Sequence, residues 1–538
     1  MNFCDRIFAA ARRHPDRLAL RVPDIMASPG HHADLSYREL ARAVARRQSE
    51  LRQTGLKKGH RVLLFMAPGM SLYVTLIALL ASGMVPVLTE RGMPRKTLRT
   101  TLAASGAKAV IGDIRVLRLW WLFPALWKMQ RFSLSGSFPG ISRLSCDSPV
   151  TNIAHDDAPH CEPMQHDDNG LITYTSGSTG LPKGADRTHD SLIAQHLAIR
   201  AHWPDNDGDI DLPAFPVLVL HNLCCGISTI LPDTDLAFPG QANAERILRQ
   251  IEQQHVTRVA GSPAYIGRVV SYALANRLIA SNVRSVVIGG STLTWQLAER
   301  CRLVFPHADI RVVYGSTEAE PISDIDIDTL MRDWHQHDGH LVGQPAEAAT
   351  VRIVGMEQPL NNEADVDSAT LAAGQEGEIL VSGSHVLKRY VDNPDATRES
   401  KIPRTDGTVW HRTGDTGIFD NSGRLWLTGR LKDRITVNGI TLSPFPLEKR
   451  VDALAGISRS ALLNEKNGPV LVIEGRHFDP DALSHLLASS QLQGLRIALI
   501  AHMPVDSRHN SKIDRPRLRA LLAKGQLRPT ALPAREMP

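Results

Sequence analysis

The sequence predicts an α/β protein with a large N-terminal domain and a small α+β C-terminal domain. Short apolar runs alternate with helical patterns through most of the chain, which is typical of doubly wound subdomains built on parallel sheets. From about residue 349 the pattern changes to short strands punctuated by glycine, which indicates a β-rich subdomain. Because 538 residues are too many for one ordinary core, we expect several domains.

The first residues predict a helix, a strand and a second helix. Residues 3–13 are periodic in apolar side chains, residues 18–22 have the pattern of a strand, and the second helix begins near residue 35. Ser36 and Glu39 have the spacing of a capping box, which marks the start of that helix. Further strands are expected at residues 61–66, 85–88, 109–111, 258–260, 283–288 and 310–314. Functional loops should follow the carboxyl ends of these strands.

Composition excludes several classes of protein. The net charge of +5 is small, and basic and acidic residues are interspersed, so nucleic-acid binding is not expected. The six cysteines form no CxxC pair and have no histidine at metal-binding spacing, which indicates reduced thiols. The start of the chain is too charged for a signal peptide, so we expect a cytoplasmic protein. The longest apolar run, residues 74–89, is too short for a membrane span and predicts a core helix followed by a buried strand.

Residues 115–128 stand apart because they hold three of the eight tryptophans among scattered positive charges. Two alternatives are open for this segment. It is a helix that covers a hydrophobic core or an acyl pocket, or it contacts a membrane surface or a partner protein. The second alternative would make the protein membrane-associated.

The strongest functional motif is residues 174–184, with the sequence Tyr-Thr-Ser-Gly-Ser-Thr-Gly-Leu-Pro-Lys-Gly. Glycines let backbone N–H groups approach phosphate oxygens, while hydroxyls and a lysine add donors and positive charge. The motif is not a Walker P-loop, because no Ser or Thr follows its lysine. It predicts a polyphosphate site formed by Thr175, Ser176, Gly177, Ser178, Thr179, Gly180 and Lys183.

This motif resembles the signature of the adenylate-forming superfamily, which includes acyl-CoA synthetases, luciferases and peptide-synthetase adenylation domains. Residues 314–318, with the sequence Tyr-Gly-Ser-Thr-Glu, are similar to the second signature of that family. The resemblance implies that Tyr314 stacks on adenine, that Thr317 contacts the α-phosphate and that Glu318 holds Mg²⁺. Gly315 lies between them, and each implied role suits its side chain.

A third match, Thr413-Gly414-Asp415, resembles the motif whose carboxylate accepts hydrogen bonds from both ribose hydroxyls. Arg430 follows at the spacing where the family's arginine also reaches the nucleotide. The family's hinge falls two residues later, which lands on Lys432. The resemblance therefore implies an N-terminal adenylation domain of residues 1–431 and a mobile C-terminal lid domain of residues 432–538.

The fourth match is the run 508–515, which resembles the family's C-terminal catalytic motif. The lysine of that motif bridges the carboxylate and the α-phosphate of ATP during adenylation, which implies this role for Lys512. A cation there would offset the charge that develops as the carboxylate attacks phosphorus. Gly290 and Ser291 occupy the place of the family's adenine-side glycine-rich loop. The resemblance spans nearly the whole chain and implies that the protein uses ATP and Mg²⁺.

The acyl pocket is expected at residues 215–226, where amino-acid-activating relatives carry an acidic residue. This stretch contains no Asp or Glu, so an acid without an amine, such as a fatty acid, is the expected substrate. His221 lies where many acyl-CoA ligases place an aromatic or histidine gate, although it also fits a buried core histidine. The finer pattern, above all residues 504–513, looks like the β-lactone synthetases of olefin biosynthesis, which adenylate a β-hydroxy acid.

Three acyl acceptors stay open: CoA, the thiol of a carrier protein, and the substrate's own β-hydroxyl. A different class of function is a catalytically silent adenylate-binding interaction protein. Such a protein would lack one of the charged groups of the four motifs, and Lys183, Glu318, Asp415 and Lys512 are all present. The sequence therefore predicts a ligase that uses ATP to turn a fatty or β-hydroxy fatty acid into an acyl-adenylate.

Overall fold

The computed structural model describes residues 1–23, 31–89, 93–144, 158–175, 182–437, 439–488, 492, 495–506 and 512–531. Up to residue 431, its strands are β1 Leu18–Pro23, β2 His32–Ser36, β3 Arg61–Phe65, β4 Val85–Thr89, β5 Ala109–Gly112, β6 Gln130–Ser133, β7 Ser142–Arg143, β8 Asn169–Thr175, β9 Lys183–Thr188, β10 Ile210–Pro213, β11 Ser228–Ile230, β12 Arg258–Gly261, β13 Ser285–Gly289, β14 Asp309–Ser316, β15 Ala319–Asp326, β16 His340–Pro345, β17 Thr350–Val354, β18 Gly377–Ser382, β19 Lys401–Pro403, β20 Val409–Phe419 and β21 Leu425–Arg430.

The α-helices of the same part are α1 Cys4–Arg13, α2 Tyr37–Gln53, α3 Met70–Ala81, α4 Arg95–Ala104, α5 Ile114–Leu117, α6 His189–His202, α7 Pro216–Cys225, α8 Ala244–Gln253, α9 Pro263–Ala275, α10 Trp295–Val304, α11 Ile327–Asp333, α12 Glu363–Ala369 and α13 Pro394–Ser400. The capping box at the start of α2 is confirmed. Ser36 Oγ accepts from the backbone N–H of Glu39 at 3.2 Å, and Glu39 Oε2 accepts from the backbone N–H of Ser36 at 2.7 Å.

The first sheet carries the phosphate motif. Among the described residues its strands follow the order β7-β6-β5-β3-β4-β8-β9, parallel except for the last pair. β8 ends at Thr175 and β9 begins at Lys183, so the motif lies at the carboxyl end of a parallel strand. The apolar run 74–89 forms most of the buried helix α3 and all of β4, as predicted. No helix in the described part of the chain has the length and apolar content needed to cross a membrane.

A second sheet joins the other α/β subdomain to the β-rich subdomain. In the described ranges it has fourteen strands, in the order β17-β18-β20-β21-β16-β15-β14-β13-β12-β10-β11-β1-β2, with β19 paired to β20. Its pairs from β1 through β11, β10, β12 and β13 to β14 are parallel, and those from β14 to β17 are antiparallel. The predicted α/β class with a β-rich subdomain is therefore confirmed, and the two parts share one sheet.

The chain after residue 431 forms separate sheets. Its elements are β22 Ile435–Val437, β23 Ile440–Leu442, α14 Phe445–Asp452, β24 Ile457–Glu465, β25 Gly468–Gly475, α15 Pro480–Ala488, β26 Arg496–Ile500, α16 Arg515–Ala523 and β27 Thr530–Ala531. β22 pairs with β23, and β24 to β27 form a sheet in chain order. Lys449 of α14 contacts the N-terminal part, because its Nζ lies 4.8 Å from the ring centre of Trp334 and 5.3 Å from that of Trp426. The domain boundary at residue 432 and its mobility stay predictions.

Residues 115–128 do not form one continuous helix, although the first of the two alternatives for this segment was a helix. α5 ends within the segment, and 3₁₀ helices follow at Trp120–Leu122 and Pro124–Lys128. Pro124, which lacks the N–H that a continuing α-helix would need, is the first residue of the second 3₁₀ helix. Two leucines of the segment are buried, whereas Trp121 and Trp127 are 58% and 57% exposed. The segment therefore both covers a core and presents an apolar surface.

Candidate active site

Three predicted nucleotide-binding residues contact one another. Tyr314 of β14 donates its hydroxyl to Asp415 Oδ2 at 2.7 Å, and Arg430 Nε lies 2.6 Å from Asp415 Oδ1. Asp415 of β20 lies directly opposite Arg430 of β21 in the sheet, which brings the two together. Gly414, with φ of +67°, turns the chain just before the carboxylate, a conformation that glycine adopts without strain. The Asp415 carboxylate is thus oriented by two donors, and its remaining lone pairs can accept ribose hydroxyls.

Glu318 lies in the turn between β14 and β15, among groups that stabilise its charge. The hydroxyl of Tyr390 donates to Glu318 Oε1 at 2.7 Å. Burial by itself would raise the pKa of Glu318, but His411, Lys401 and this hydrogen bond together lower it below its usual range. An ionised carboxylate is the hard oxygen ligand that Mg²⁺ prefers, so the residue fits the expected ion.

Lys183 lies near the ring of the same tyrosine. Its Nζ is 5.3 Å from the ring centre of Tyr390, within the range of a cation–π interaction. Lys183 also pairs with Thr175 across β8 and β9, so both ends of the phosphate motif are held by the sheet. The remaining predicted phosphate-binding residues lie outside the described residues, as does the side chain of Thr175; these are Ser176, Gly177, Ser178, Thr179 and Gly180.

The predicted adenine and α-phosphate loops follow two adjacent parallel strands, β13 and β14. Gly290 has φ of +92°, and the buried hydroxyl of Ser291 has no hydrogen-bond partner in the part of the chain that is described. Gly315 lies in β14, and Thr317 follows it, with its carbonyl accepting from Arg187 Nη2 at 2.9 Å. Because the carboxyl ends of parallel neighbours meet at one edge, the structure brings both loops to the same edge of the sheet.

His221 has the contacts of a buried core histidine. It is 2% exposed on α7, and its Nδ1 lies 3.1 Å from Nδ1 of His196 on α6. Its Nε2 lies 3.7 Å from Sγ of Cys225, so the expectation that no cysteine has a histidine at metal-binding spacing was wrong. Burial lowers the pKa of His221 well below its usual range, which leaves the imidazole neutral. The gating role of His221 stays a prediction.

Lys512 and Lys432 lie in the C-terminal part. The side chain of Lys512 is exposed, while its backbone N–H donates to Asp506 Oδ1 at 2.9 Å. The N–H of Asp506 donates back to the Lys512 carbonyl at 2.8 Å, which ties together the two ends of the loop that carries the motif. Lys432 lies in the 3₁₀ helix Leu431–Asp433, where burial lowers its pKa. The catalytic role of Lys512 and the hinge role of Lys432 stay predictions.

Sequence reasoning missed three residues beside Glu318: Tyr390, Lys401 and His411. Lys401 of β19 lies opposite His411 of β20 in the sheet. Burial lowers the pKa of Lys401 to about 7 and that of His411 to about 3. His411 lies four residues before the predicted Asp415 in the same strand, β20, and this nearness in the chain was a signal that could have indicated one of them.

Comparison with known proteins agrees with this geometry. A family model described as AMP-binding enzyme matches residues 7–391. An olefin β-lactone synthetase from Stenotrophomonas maltophilia (strain K279a) is 29% identical over 98% of this chain and 98% of its own length. A feruloyl-CoA synthase from Amycolatopsis sp. is 28% identical over 87% of this chain and 90% of its own length.

Among solved structures, ATP-bound MatB from Rhodopseudomonas palustris has a similar fold. Its TM-score is 0.77 at 22% identity, and the match covers 97% of this chain and 99% of the MatB chain. The match to the family model includes the phosphate motif and the strand that carries Tyr314, and it extends over more than half of the sequence. This chain therefore belongs to the AMP-binding enzyme family of acid ligases.

Proposed function

We propose that this enzyme uses ATP and Mg²⁺ to activate a fatty or β-hydroxy fatty acid as an acyl-adenylate. The observation that carries the proposal is that two groups of polar side chains adjoin each other, one at the end of β14 and one at the turn that follows it. Tyr314 belongs to the Asp415–Arg430 group that suits a ribose, and Glu318 belongs to the group around Tyr390 that suits Mg²⁺ and phosphates. One nucleoside triphosphate would satisfy both groups.

In the proposed reaction, a carboxylate oxygen of the acid attacks the α-phosphorus of ATP. A new P–O bond forms, the bond from the α-phosphorus to the bridging oxygen breaks, and pyrophosphate leaves with the electron pair. Asp415 would orient the ribose, and Lys183 would offset negative charge on the leaving pyrophosphate. Bound Mg²⁺ supplies further neutralisation of the phosphates. Rotation near Lys432 would bring the exposed Lys512 to the attacking carboxylate.

The surroundings of α7 favour an acid without an amine. Asp211, buried beneath the helix, accepts a hydrogen bond from Asn222 Nδ2 at 2.7 Å. Burial raises the pKa of Asp211 to about 6, and one of its oxygens is already occupied by Asn222. Leu218, Val219 and Leu220 of the same helix are buried. These features support a fatty acyl chain rather than an amino acid.

For the acyl acceptor we propose the substrate's own β-hydroxyl. The hydroxyl oxygen would attack the activated carbonyl carbon and release AMP, while its proton passes to solvent, and a β-lactone results. The olefin β-lactone synthetase that matches over 98% of both chains supports this acceptor. The feruloyl-CoA synthase supports CoA as the alternative.

Mass spectrometry of the products tests the proposal directly. The enzyme is incubated with ATP, Mg²⁺ and a panel of plain and β-hydroxy fatty acids, each with and without CoA. Loss of water from the β-hydroxy acids alone, independent of CoA, is the expected result. Formation of a thioester only when CoA is present would show that CoA, not the β-hydroxyl, is the acceptor. Accumulation of the acyl-adenylate would indicate a carrier protein as acceptor. Failure of every acid to release pyrophosphate from ATP would reject adenylation itself.

We also propose that the surface of residues 115–128 contacts an anionic membrane. Val116, Leu119, Trp121 and Trp127 are between 45% and 58% exposed, and Arg115, Arg118 and Lys128 lie among them in the chain. Exposed tryptophans with neighbouring basic residues suit the interface of a bilayer with anionic headgroups. Such a surface would place the enzyme where long-chain acids partition.

Sedimentation with vesicles tests this contact. The wild-type protein should sediment with vesicles that contain phosphatidylglycerol more than with pure phosphatidylcholine, and a Trp121→Ala/Trp127→Ala variant should lose this preference. A Leu278→Ala/Ile279→Ala variant, which removes exposed apolar side chains elsewhere, is the matched control and should sediment normally. Equal sedimentation of the wild type and the tryptophan variant would reject the membrane contact and favour a protein partner.

A further inference from the structure

Lys401 is a buried lysine whose side-chain nitrogen finds no hydrogen-bond acceptor among the described residues. It is 5% exposed, and its Nζ has no hydrogen-bond partner in the described part of the chain. Three N–H donors that are removed from water and left without acceptors are strongly destabilising. Such a lysine is well placed to receive its acceptors from a bound ligand.

The surroundings of Lys401 indicate what that ligand is. Its Nζ lies 5.8 Å from the ring centre of Tyr390, and Nζ of Lys183 lies 5.3 Å from the same ring. The amino groups of two lysines therefore lie near the ring of one tyrosine. The hydroxyl of that tyrosine donates a hydrogen bond to the carboxylate of Glu318. A bound anion would favour the protonated form of Lys401, and the two lysines together would then exceed the single charge of Glu318, so the cluster suits an anion with several oxygens.

We propose that Lys401 binds the β- and γ-phosphates of ATP, the part that leaves as pyrophosphate. This inference rests on the proposed adenylation function and adds a residue that belongs to none of its four sequence motifs. Lys183 comes from β9 in the first sheet and Lys401 from β19 in the second, so the two lysines reach Tyr390 from different sheets. Lys401 would then contact ATP and pyrophosphate but not AMP, which lacks those phosphates.

An alternative explanation is that Lys401 acts only as a counterion that shapes the pocket around Glu318. The two explanations differ in which ligands a substitution affects. A residue that acts only through Glu318, the expected Mg²⁺ ligand, would alter the binding of ATP and pyrophosphate when Mg²⁺ is present and not when it is absent. A residue that binds the leaving group itself would alter the binding of ATP and pyrophosphate with and without Mg²⁺, and not that of AMP.

Titration calorimetry of Lys401→Met with ATP and pyrophosphate, each with and without Mg²⁺, and with AMP separates these explanations. Methionine retains most of the side-chain volume and introduces no buried charge, so the variant should fold. Since charge-assisted hydrogen bonds to phosphate are lost, the affinities for ATP and pyrophosphate should fall about tenfold or more, while the affinity for AMP stays within twofold. Lys388→Met, which removes a half-exposed lysine nearby, should leave all three unchanged.

An equal loss for AMP, no loss for ATP and pyrophosphate, or a loss confined to the titrations with Mg²⁺ would overturn the role of Lys401. A wild-type protein that binds neither ATP nor AMP would instead reject the proposed function. The second variant, Lys401→Arg, keeps the positive charge and should retain more affinity for pyrophosphate than Lys401→Met. If both variants lose pyrophosphate affinity equally and AMP affinity as well, the site needs the shape of lysine rather than its charge, and the proposal fails.

Discussion

Replacing Arg515 with methionine should destabilise the C-terminal part by about 3–5 kcal/mol, the cost of breaking a buried ion pair. Arg515 Nη2 lies 2.7 and 2.8 Å from the two carboxylate oxygens of Glu448, and the two side chains are 8% and 6% exposed. Arg515 Nη1 also donates to the Leu462 carbonyl at 2.8 Å. The backbone N–H of Leu462 also donates to Glu448 Oε1, at 2.6 Å. After Arg515→Met, Glu448 retains this hydrogen bond and loses both contacts with the guanidinium. The buried carboxylate is then left without its cation.

Urea unfolding followed by circular dichroism and by tryptophan fluorescence measures this effect. Because all eight tryptophans precede residue 432, fluorescence reports on the N-terminal part, while circular dichroism reports on both. Arg517→Met, which changes an exposed arginine of the same helix, is the control. A second substitution, Glu448→Gln, removes the uncompensated charge and should restore part of the loss. The reasoning is refuted if Arg515→Met costs under about 1 kcal/mol more than Arg517→Met, or if the double variant is less stable than the single one.

Three further predictions concern the site and the C-terminal part. Lys512→Ala should slow pyrophosphate release about 10²- to 10³-fold with unchanged ATP affinity. The control Lys524→Ala should release pyrophosphate at the wild-type rate. Full release by Lys512→Ala in a pyrophosphate assay would contradict the catalytic assignment. Asp415→Ala should weaken ATP binding about 10²-fold or more, since two charge-assisted hydrogen bonds to ribose are lost, and unchanged calorimetric affinity would exclude the ribose role. Burial raises the pKa of Asp452 to about 7, above the value of about 3.9 in an unfolded chain, so the folded protein favours the protonated carboxyl. The contribution of this residue to stability is therefore present below pH 4 and is lost as the pH rises to 7. Asp452→Asn should therefore be more stable than the wild type at pH 8 by up to about 4 kcal/mol and similar at pH 4, and equal melting curves at pH 8 would contradict this.

Local pattern was enough to predict much of the fold. The capping box of Ser36 and Glu39, the buried run 74–89 and the alternation of strands and helices all depend on neighbours in the chain, and the structure confirms them. The helix that one alternative assigned to residues 115–128 is divided into three short helices, because apolar content and positive charge do not show where the helical turns of a segment end.

The functional motifs were equally readable, since each is a short run whose residues act together. Sequence alone therefore determined that this chain has the signatures of an AMP-binding enzyme and which residues those signatures contain. It could not show that Tyr390 and Lys401 lie beside Glu318, because they are distant in the chain and come together only when the strands pair. Only the tertiary structure decided which charges are buried and which groups face them, and desolvation and proximity are properties of the folded chain rather than of any segment.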